Sequence, residues 1–304
     1  MVSVLTPVEL QPAATPVEAP TAIHIDRVTV AYPVGRKGVK TILDGLDLEI
    51  AQGEFVVLLG QTGCGKSTLL RMILGQEHPA GGAVSVNKRV VTRVSSACGY
   101  VPQKYSLYPD RTVLGNLMMG PETSRYHILG RLSPGFRAFR REVRAEAMRQ
   151  LERMGLHASD ADKYPHQLSG GMQQRVAIAQ SLMMKPTILL MDEAFSALDP
   201  STRASLQRMM REIWLEKRPT AVFVTHNTAE ALYLASRVIV LAKQGPQGQS
   251  GAKVALDRRL PGGMSLKRDG AEFLRLVEEI ESCSGGLDQT EETDPEPVEI
   301  GAED

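Results

Sequence analysis

The sequence predicts an α/β protein with a parallel core sheet, and three observations support this fold class. Short apolar runs alternate with helical segments along most of the chain, which is the pattern of parallel strands joined by crossover helices. The run over residues 54–59 leads directly into a glycine-rich loop and a helix. The run over residues 187–191 follows Pro186 and is apolar almost throughout, as expected of a strand buried on both faces.

The remaining strands and the first helix follow from the same patterns. Helical spacing after the glycine-rich loop predicts a helix over residues 67–74, and two more core strands are expected at residues 221–225 and 238–241. The parallel core is expected to be accompanied by an N-terminal antiparallel β layer. Its predicted strands are residues 22–30, 46–50 and 83–86.

Residues 106–184 are expected to form a helical subdomain, in which residues 141–154 are the clearest helix. The basic charge of this region has two interpretations. It is either a solvated helix face, because glutamates are interleaved at helical pairing distances, or a surface that faces a partner or lipid headgroups. We favour the first. The charged residues are Arg125, Arg131, Arg137, Arg140, Arg141, Arg144, Arg149, Arg153, Glu142, Glu146 and Glu152.

Composition divides the chain into three parts. Residues 1–21 are rich in Pro, Ala, Val and Thr and are interpreted as a disordered lead-in to the folded domain over residues 22–242. Residues 243–304 begin with a Gln- and Gly-rich surface loop and continue with a short docking helix over residues 271–283. They end in an acidic tail that is also interpreted as disordered.

The bulk composition argues against several classes of protein. Lys plus Arg and Asp plus Glu both number 35, so the zero net charge disfavours binding to nucleic acid mainly through bulk charge. The three cysteines form no CxxC pair and the six histidines show no metal-ligand spacing, which indicates a reduced, cytosolic chain without a structural metal. No stretch approaches the ~20 apolar residues that span a bilayer, and the N-terminus does not resemble a secretion signal. Any membrane role is therefore expected to depend on a partner.

The glycine-rich loop predicts a binding site for the phosphates of ATP and for Mg²⁺. Its glycines let backbone N–H groups point at phosphate oxygens, and the following helix adds its positive N-terminal end. Lys66 is expected to reach the outer phosphates, and Ser67 to offer its hydroxyl to Mg²⁺. The loop consists of Gly60, Gln61, Thr62, Gly63, Cys64, Gly65, Lys66, Ser67 and Thr68.

An acidic pair follows the strand predicted at residues 187–191. Asp192 is expected to hold Mg²⁺ through water, because parallel strands present side chains to ligands at their carboxyl ends. Glu193 is the candidate base that polarises the attacking water. An acidic pair after a strand is a common helix start, so this assignment depends on the phosphate-binding loop.

A second motif lies about a hundred residues after the phosphate-binding loop. Ser169 precedes Gly170 and Gly171 at the start of a predicted helix. These residues could be an ordinary N-cap and turn, but the exposed N–H groups of a helix start also bind anions. Two phosphate sites that are too far apart in sequence to share one loop suggest that two chains close around each ATP.

In motif order and spacing, residues 23–241 resemble an ATP-binding-cassette (ABC) ATPase, a P-loop NTPase. The resemblance implies further site residues. Tyr32 corresponds to the aromatic residue that stacks on adenine, and Gln103 to the glutamine that senses Mg²⁺ and the membrane partner. Asp199 lies in the loop that communicates across the dimer. His226 corresponds to the histidine that contacts the γ-phosphate, so the implied catalytic set is Lys66, Glu193 and His226.

The chain departs from the family pattern at two positions beside the site. Ala194 stands where Pro commonly follows the catalytic Glu, and Asn227 stands where Asp commonly follows the His. Neither change alters a group that touches phosphate, so activity is expected to survive.

Within the family, the runs around Ser169 and Asp192 are similar to those of the nitrate, sulfonate and taurine importers. This similarity implies an ATPase coupled to transport, on the cytoplasmic face of the inner (plasma) membrane, that powers uptake of a small anion or organic nutrient. The implied partners are integral membrane permease subunits, a second ABC ATPase subunit that is an identical copy or a paralogue, and an extracytoplasmic solute-binding protein. No nucleic acid is expected as a partner.

Two other classes stay open at this stage. One is the motor of a lipid or drug exporter, which would use the same chemistry with a different membrane partner. The other is a non-transport ABC protein that acts on DNA or ribosomes. Those proteins usually have two tandem cassettes or a long coiled-coil insertion, and this chain has one cassette and no such insertion.

Overall fold

A computed structural model describes residues 19–35, 38–104, 106–126, 133–243, 251–260 and 270–283. In this part of the chain, ten strands form one sheet in the order β5-β4-β1-β2-β10-β9-β3-β8-β7-β6. The strands are β1 (Thr21–Val34), β2 (Gly38–Ala51), β3 (Phe55–Leu59), β4 (Gly81–Val86), β5 (Arg89–Val90), β6 (Cys98–Val101), β7 (Ile188–Asp192), β8 (Thr220–Val224), β9 (Arg237–Lys243) and β10 (Ala252–Arg259).

The parallel half of the sheet is the predicted core. Strands β9, β3, β8, β7 and β6 pair in parallel, and every residue of β3, β7 and β8 is buried. Alternate residues of β3 enter two different cores: Phe55 and Leu59 face one, and Val56 and Leu58 face the other. The continuous apolar runs are thus explained by burial on both faces.

The antiparallel strands continue the same sheet. Strand β1 pairs with β2 and β4, and β10 pairs antiparallel with β9 and meets β2 at Ala252 and Leu43. Strand β10 therefore joins the antiparallel half to the parallel half. The sequence analysis had not identified β10 or β6, because neither strand has a continuous apolar run. Strand β6 alternates between buried and half-buried residues, and only the first residue of β10 is buried.

Seven α-helices are described on the two faces of the sheet. Helix α1 packs into the core beneath β1 and β2, whereas α2 to α7 contribute to the other core. They are α1 (Lys66–Leu74), α2 (Val113–Arg125), α3 (Pro134–Arg153), α4 (Gly170–Met183), α5 (Pro200–Lys217), α6 (Thr228–Leu234) and α7 (Ala271–Cys283).

The helices that the sequence predicted are present with small changes at their ends. Helix α3 begins earlier than predicted, because Ser133 caps it and accepts a hydrogen bond from the Phe136 N–H. Helix α7 has the predicted bounds, and it buries Phe273, Leu276 and Ile280 against the remaining core.

Several sequence predictions fall outside the described residues. These are most of the predicted lead-in over residues 1–18, the loop over residues 244–250 and the acidic tail over residues 284–304. Among the helices of the described ranges, none combines the length and the apolar character that crossing a membrane would require.

Candidate active site

The glycine-rich loop connects β3 to α1 through backbone conformations that require glycine. Gly60 has φ 148°, and a Cβ at this position would lie 2.3 Å from the Leu241 carbonyl oxygen. Gly65 has φ 100°, and its Cβ would lie 2.8 Å from the Leu43 side chain. Since a side chain at either position would be strained and would clash, the loop depends on both glycines. Gly65 is also the residue that precedes α1, so the loop ends at a helix N-terminus.

The Lys66 ammonium lies inside this loop. Its Nζ donates to the Gly60 carbonyl at 2.5 Å and to the Gln61 carbonyl at 3.0 Å, and the side chain is buried. A buried ammonium needs such partners, because removing it from water is costly. The contacts hold a positive charge at the N-terminus of α1, a position that favours anions.

Ser67 and Asp192 meet across the end of the sheet. The Ser67 hydroxyl donates to Asp192 Oδ1 at 2.8 Å, although the two residues are 125 positions apart. Burial raises the pKa of the Asp192 carboxyl, and the Ser67 hydrogen bond opposes this effect. The Tyr100 hydroxyl lies 3.5 Å from Asp192 Oδ2, and burial together with the Asp192 charge raises the pKa of Tyr100 to about 12.

These oxygen atoms fit Mg²⁺, which prefers a hydroxyl or one or two carboxylates together with phosphate oxygens and water. Among the described residues, no cluster of three or more His, Cys, Asp or Glu residues forms an all-protein metal cage. A site that uses Ser67 and Asp192 would not need one, because phosphate oxygens and water would complete the coordination of the ion.

Glu193 is placed between Gln103 and His226. The Gln103 amide Nε2 donates to Glu193 Oε2 at 2.6 Å, and His226 Nδ1 lies 3.8 Å from Glu193 Oε1. Glu193 has φ 46°, and its N–H donates to the Val224 carbonyl at 3.0 Å. Such a conformation costs about 1–3 kcal/mol in a residue other than glycine, and it recurs at functional sites.

A cavity of about 600 Å³ brings most of the predicted site residues together. The sequence analysis missed Ile42 and Arg71 on its wall. Arg71 lies one helical turn after Ser67, so helical spacing offered a signal for it, whereas nothing near Ile42 distinguishes it from a core residue. The lining residues are Tyr32, Ile42, Thr62, Gly63, Gly65, Lys66, Ser67, Thr68, Arg71, Gln103, Glu193 and His226.

The second motif begins α4, away from this cavity. Ser169 is exposed and its hydroxyl accepts from the Met172 N–H at 3.3 Å, as an N-cap does. A Cβ on Gly171 would lie 2.6 Å from the Thr202 methyl carbon in the first turn of α5, so a glycine is needed there. Within the described part of the chain, Ser169, Gly170 and Gly171 are not among the residues that line the cavity.

Asp199 is the N-cap of α5 and lies close to the second motif. Its carboxylate accepts from the Ser201 hydroxyl at 2.6 Å and from the Thr202 N–H at 2.9 Å. These hydrogen bonds, led by that from Ser201, lower the pKa of Asp199. Arg203 braces the preceding loop by donating to the Leu198 carbonyl at 2.9 Å. Asp199, like the second motif, lies outside the cavity lining of the described chain.

The comparisons with known proteins agree with this geometry. The family model described as ABC transporter matches residues 43–196. The aliphatic sulfonates import ATP-binding protein SsuB 1 of Mesorhizobium japonicum is 36% identical over 86% of this chain and 91% of its own length. The bicarbonate transport ATP-binding protein CmpD of Synechocystis sp. is 37% identical over 79% of this chain and 81% of its own.

A longer relative and a solved structure are also ATP-binding proteins of the ABC type. The nitrate import ATP-binding protein NrtC of Synechococcus elongatus is 40% identical over 77% of this chain, which spans only 34% of that protein. The dimeric, post-hydrolysis structure of the ATP-binding cassette MJ0796 bound to ADP and Pi superposes with a TM-score of 0.65 and 30% identity, covering 79% of this chain and 99% of that one. With its phosphate-binding loop, acidic pair and sheet in the corresponding arrangement, this chain belongs to the ABC transporter family of ATP-binding ATPase subunits.

Proposed function

We propose that this chain is the ATP-hydrolysing subunit of an importer for a small anion or organic nutrient. The observation that supports it most is the convergence of Lys66, Ser67, Asp192, Glu193 and His226 at the carboxyl end of the parallel strands. These are the groups that phosphoryl transfer needs to hold phosphates, a metal ion and an attacking water.

The phosphate-binding loop positions ATP. Lys66 exchanges its contacts with the loop carbonyls for contacts with the outer phosphates, while the N–H groups from Gly60 to Thr68 surround the phosphate oxygens. Ser67, Asp192 and Gln103 would hold Mg²⁺, Asp192 through water. The metal ion neutralises charge on the phosphate oxygens when it is bound. Tyr32, which also lines the cavity, stacks on adenine.

Glu193 acts on the attacking water. Its carboxylate accepts the proton of the water, the water oxygen bonds to the γ-phosphorus, and the bond to the ADP oxygen breaks. Gln103 orients one carboxylate oxygen of Glu193, and His226 lies beside the other and contacts the γ-phosphate. The left-handed backbone of Glu193 directs its side chain toward these partners.

A second ABC subunit completes the site. Ser169, Gly170, Gly171 and Asp199 lie outside the cavity lining of their own chain, so they are available to close on the nucleotide of a partner copy. ATP then joins two subunits, and its hydrolysis separates them. The dimeric form of the solved cassette supports this assembly.

The remaining partners and the location follow from the relatives. Their names refer to import or transport of nitrate, bicarbonate and aliphatic sulfonates, all small anions. We therefore assign the chain to the cytoplasmic face of the inner membrane, bound to permease subunits that receive solute from an extracytoplasmic binding protein. These names favour import over lipid or drug export and over action on DNA or ribosomes.

The test is to tag the chain, extract it gently from native membranes and identify what co-purifies. Integral membrane proteins in stoichiometric amount are expected, and ATPase activity of the reconstituted complex should rise with the solute-binding protein loaded with the correct anion. Recovery of the chain alone, or with ribosomes or DNA, would contradict the transport assignment. A complex that exports lipid or drug would contradict only the direction and substrate.

A further inference from the structure

A line of side-chain contacts joins Tyr32, on the wall of the nucleotide cavity, to the phosphate-binding loop. Tyr32, on β1, lines the cavity and donates its hydroxyl to Glu77 Oε1. The other oxygen of Glu77 accepts from Arg71 Nε at 3.1 Å. Arg71 in turn donates from its second guanidinium nitrogen to the Thr68 hydroxyl at 3.2 Å. Tyr32 is thus connected to the phosphate-binding loop through Arg71 and Glu77.

The end of α1 fixes the position of Glu77. Gly75 has φ 84° and donates to the Met72 carbonyl at 3.0 Å, and the Gln76 N–H donates to the Arg71 carbonyl at 2.9 Å. This pair of hydrogen bonds is the Schellman ending of a helix. It turns the chain back over the last turn of α1, so Glu77 lies beside the Arg71 side chain.

Arg71 and Glu77 form an ion pair that favours the charged form of the Glu77 carboxylate. Burial raises the pKa of the Glu77 carboxyl, and a cation at short range favours its charged form. Arg71 is that cation, and its planar guanidinium binds Glu77 and Thr68 at the same time. A neutral acid at Glu77 would be a weaker acceptor for the Tyr32 hydroxyl than a carboxylate.

We propose that Glu77 is a positioning residue that, held by Arg71, fixes the Tyr32 ring in the orientation that receives the nucleotide base. This inference rests on the proposed function, in which Tyr32 stacks on adenine. An exposed tyrosine on a strand normally samples several rotamers, and the Glu77 contact selects one of them before ATP arrives. The Glu77–Tyr32 contact is expected to increase the affinity for the nucleotide. It should not change the chemical step, because neither Glu77 nor the Tyr32 hydroxyl is assigned a contact with the reacting phosphate.

The expected result is a change in KM for ATP with kcat preserved. In the full chain, Tyr32→Phe and Glu77→Ala should each raise the KM by about 3- to 10-fold. Correct geometry of an aromatic contact strengthens binding by up to about tenfold. The value of kcat should stay within about twofold, because a contact with the base is made equally in the bound ground state and in the transition state. The double variant should be no worse than either single variant, because both remove the same contact.

Two controls separate this role from a general structural one. The Arg140–Glu122 pair has the same 3.1 Å separation but joins α3 to α2, so Glu122→Ala should leave the KM unchanged. Inorganic tripolyphosphate has no base, so its inhibition constant (Ki) against ATP hydrolysis should be equal in wild type and Glu77→Ala. A larger Ki in the variant would show that Glu77 acts on the phosphate-binding loop, which would overturn the inference.

Tyr32→Ala distinguishes a failure of this inference from a failure of the proposed function. If Tyr32→Ala leaves the KM for ATP unchanged, Tyr32 does not stack on adenine and both ideas fail. If Tyr32→Ala raises the KM while Tyr32→Phe and Glu77→Ala do not, the stacking role stands and the positioning role of Glu77 is wrong. Additive effects in the double variant would also be evidence against a shared contact.

Discussion

At the scale of single residues, hydrogen bonds between residues that are distant in the sequence position the side chains of the site, and the sequence alone does not reveal these bonds. The motifs identified Lys66, Asp192 and Glu193, but their hydrogen bonds depend on how the strands come together. Glu193 is the clearest case, because its left-handed backbone is stabilised by a hydrogen bond to the Val224 carbonyl of β8. An acidic residue after a strand gives no sign of this conformation, so the sequence predicted Glu193 as a candidate base but not its backbone geometry.

The assignment of Glu193 as the base gives the first residue-scale prediction. Glu193→Gln keeps the size of the side chain and removes the proton acceptor, so kcat should fall by about 10²- to 10⁴-fold while ATP binding persists. Steady-state ATPase assays and nucleotide-binding titrations measure the two effects. Glu212→Gln, an exposed acid on α5, is the matched control and should behave as wild type. Turnover near wild type in Glu193→Gln would remove Glu193 from the mechanism.

A second residue-scale prediction concerns pH and stability. Asp160 accepts from Lys163 Nζ at 2.6 Å and from the His157 N–H at 2.8 Å, and these contacts, led by Lys163, lower its pKa. A carboxyl whose folded-state pKa is lowered stabilises the fold above its unfolded pKa of about 3.9 and loses this contribution as pH falls further.

Asp160→Asn removes the charge and should therefore lower the Tm at pH 7 by about 2–4 °C. The difference from wild type should shrink as the pH falls below the unfolded-state pKa of about 3.9, and should be lost as the pH falls through the lowered folded-state pKa of Asp160. Asp162→Asn, an exposed neighbour, should not change the Tm. A difference that is constant from pH 7 to pH 3 would show that the charge of Asp160 is not the cause.

At the scale of elements, apolar runs predicted the buried strands because burial on both faces leaves a continuous pattern. Strands β3, β7 and β8 were found for that reason. Strand β10 was missed because four of its eight residues are charged and it follows a Gln- and Gly-rich segment. Its place in the sheet is stabilised by pairing with β9 and by the contact of Arg237 with Asp257 at 2.6 Å. Pairing between distant segments is not visible in either segment alone.

The start of α4 gives a prediction at this scale, with a matched control on α3. Ser169 and Ser133 both cap a helix through a hydroxyl that accepts from the N–H three residues later. Replacing either by Ala should cost a similar ~1 kcal/mol of stability. If Ser169 also binds the nucleotide of a partner subunit, only Ser169→Ala should lower ATPase activity. Equal activities in the two variants would contradict a role for Ser169 beyond capping.

At the scale of the whole molecule, the proposed second phosphate site at Ser169 is not part of the cavity lining, so the proposed function predicts an assembly that ATP controls. Glu193→Gln with MgATP should migrate as a dimer in size-exclusion chromatography with light scattering. ATP still joins the two subunits in this variant, but the hydrolysis that separates them does not occur. The same variant without nucleotide, or with ADP, should migrate as a monomer. Ser169→Arg in the Glu193→Gln background places a bulky cation at the closing surface and should prevent the dimer. A dimer that forms without nucleotide would contradict this cycle.

The position of β10 has a practical consequence for shortening the chain. A chain that ended before residue 251 would contain every residue assigned to catalysis, yet it would lose the strand between β9 and β2. Two open sheet edges would then face water, and unpaired edges are templates for aggregation. Arg237, which is 9% exposed, would lose Asp257 and keep Glu54 as its carboxylate partner. We therefore expect such a fragment to collect in inclusion bodies although its nucleotide site is intact in sequence.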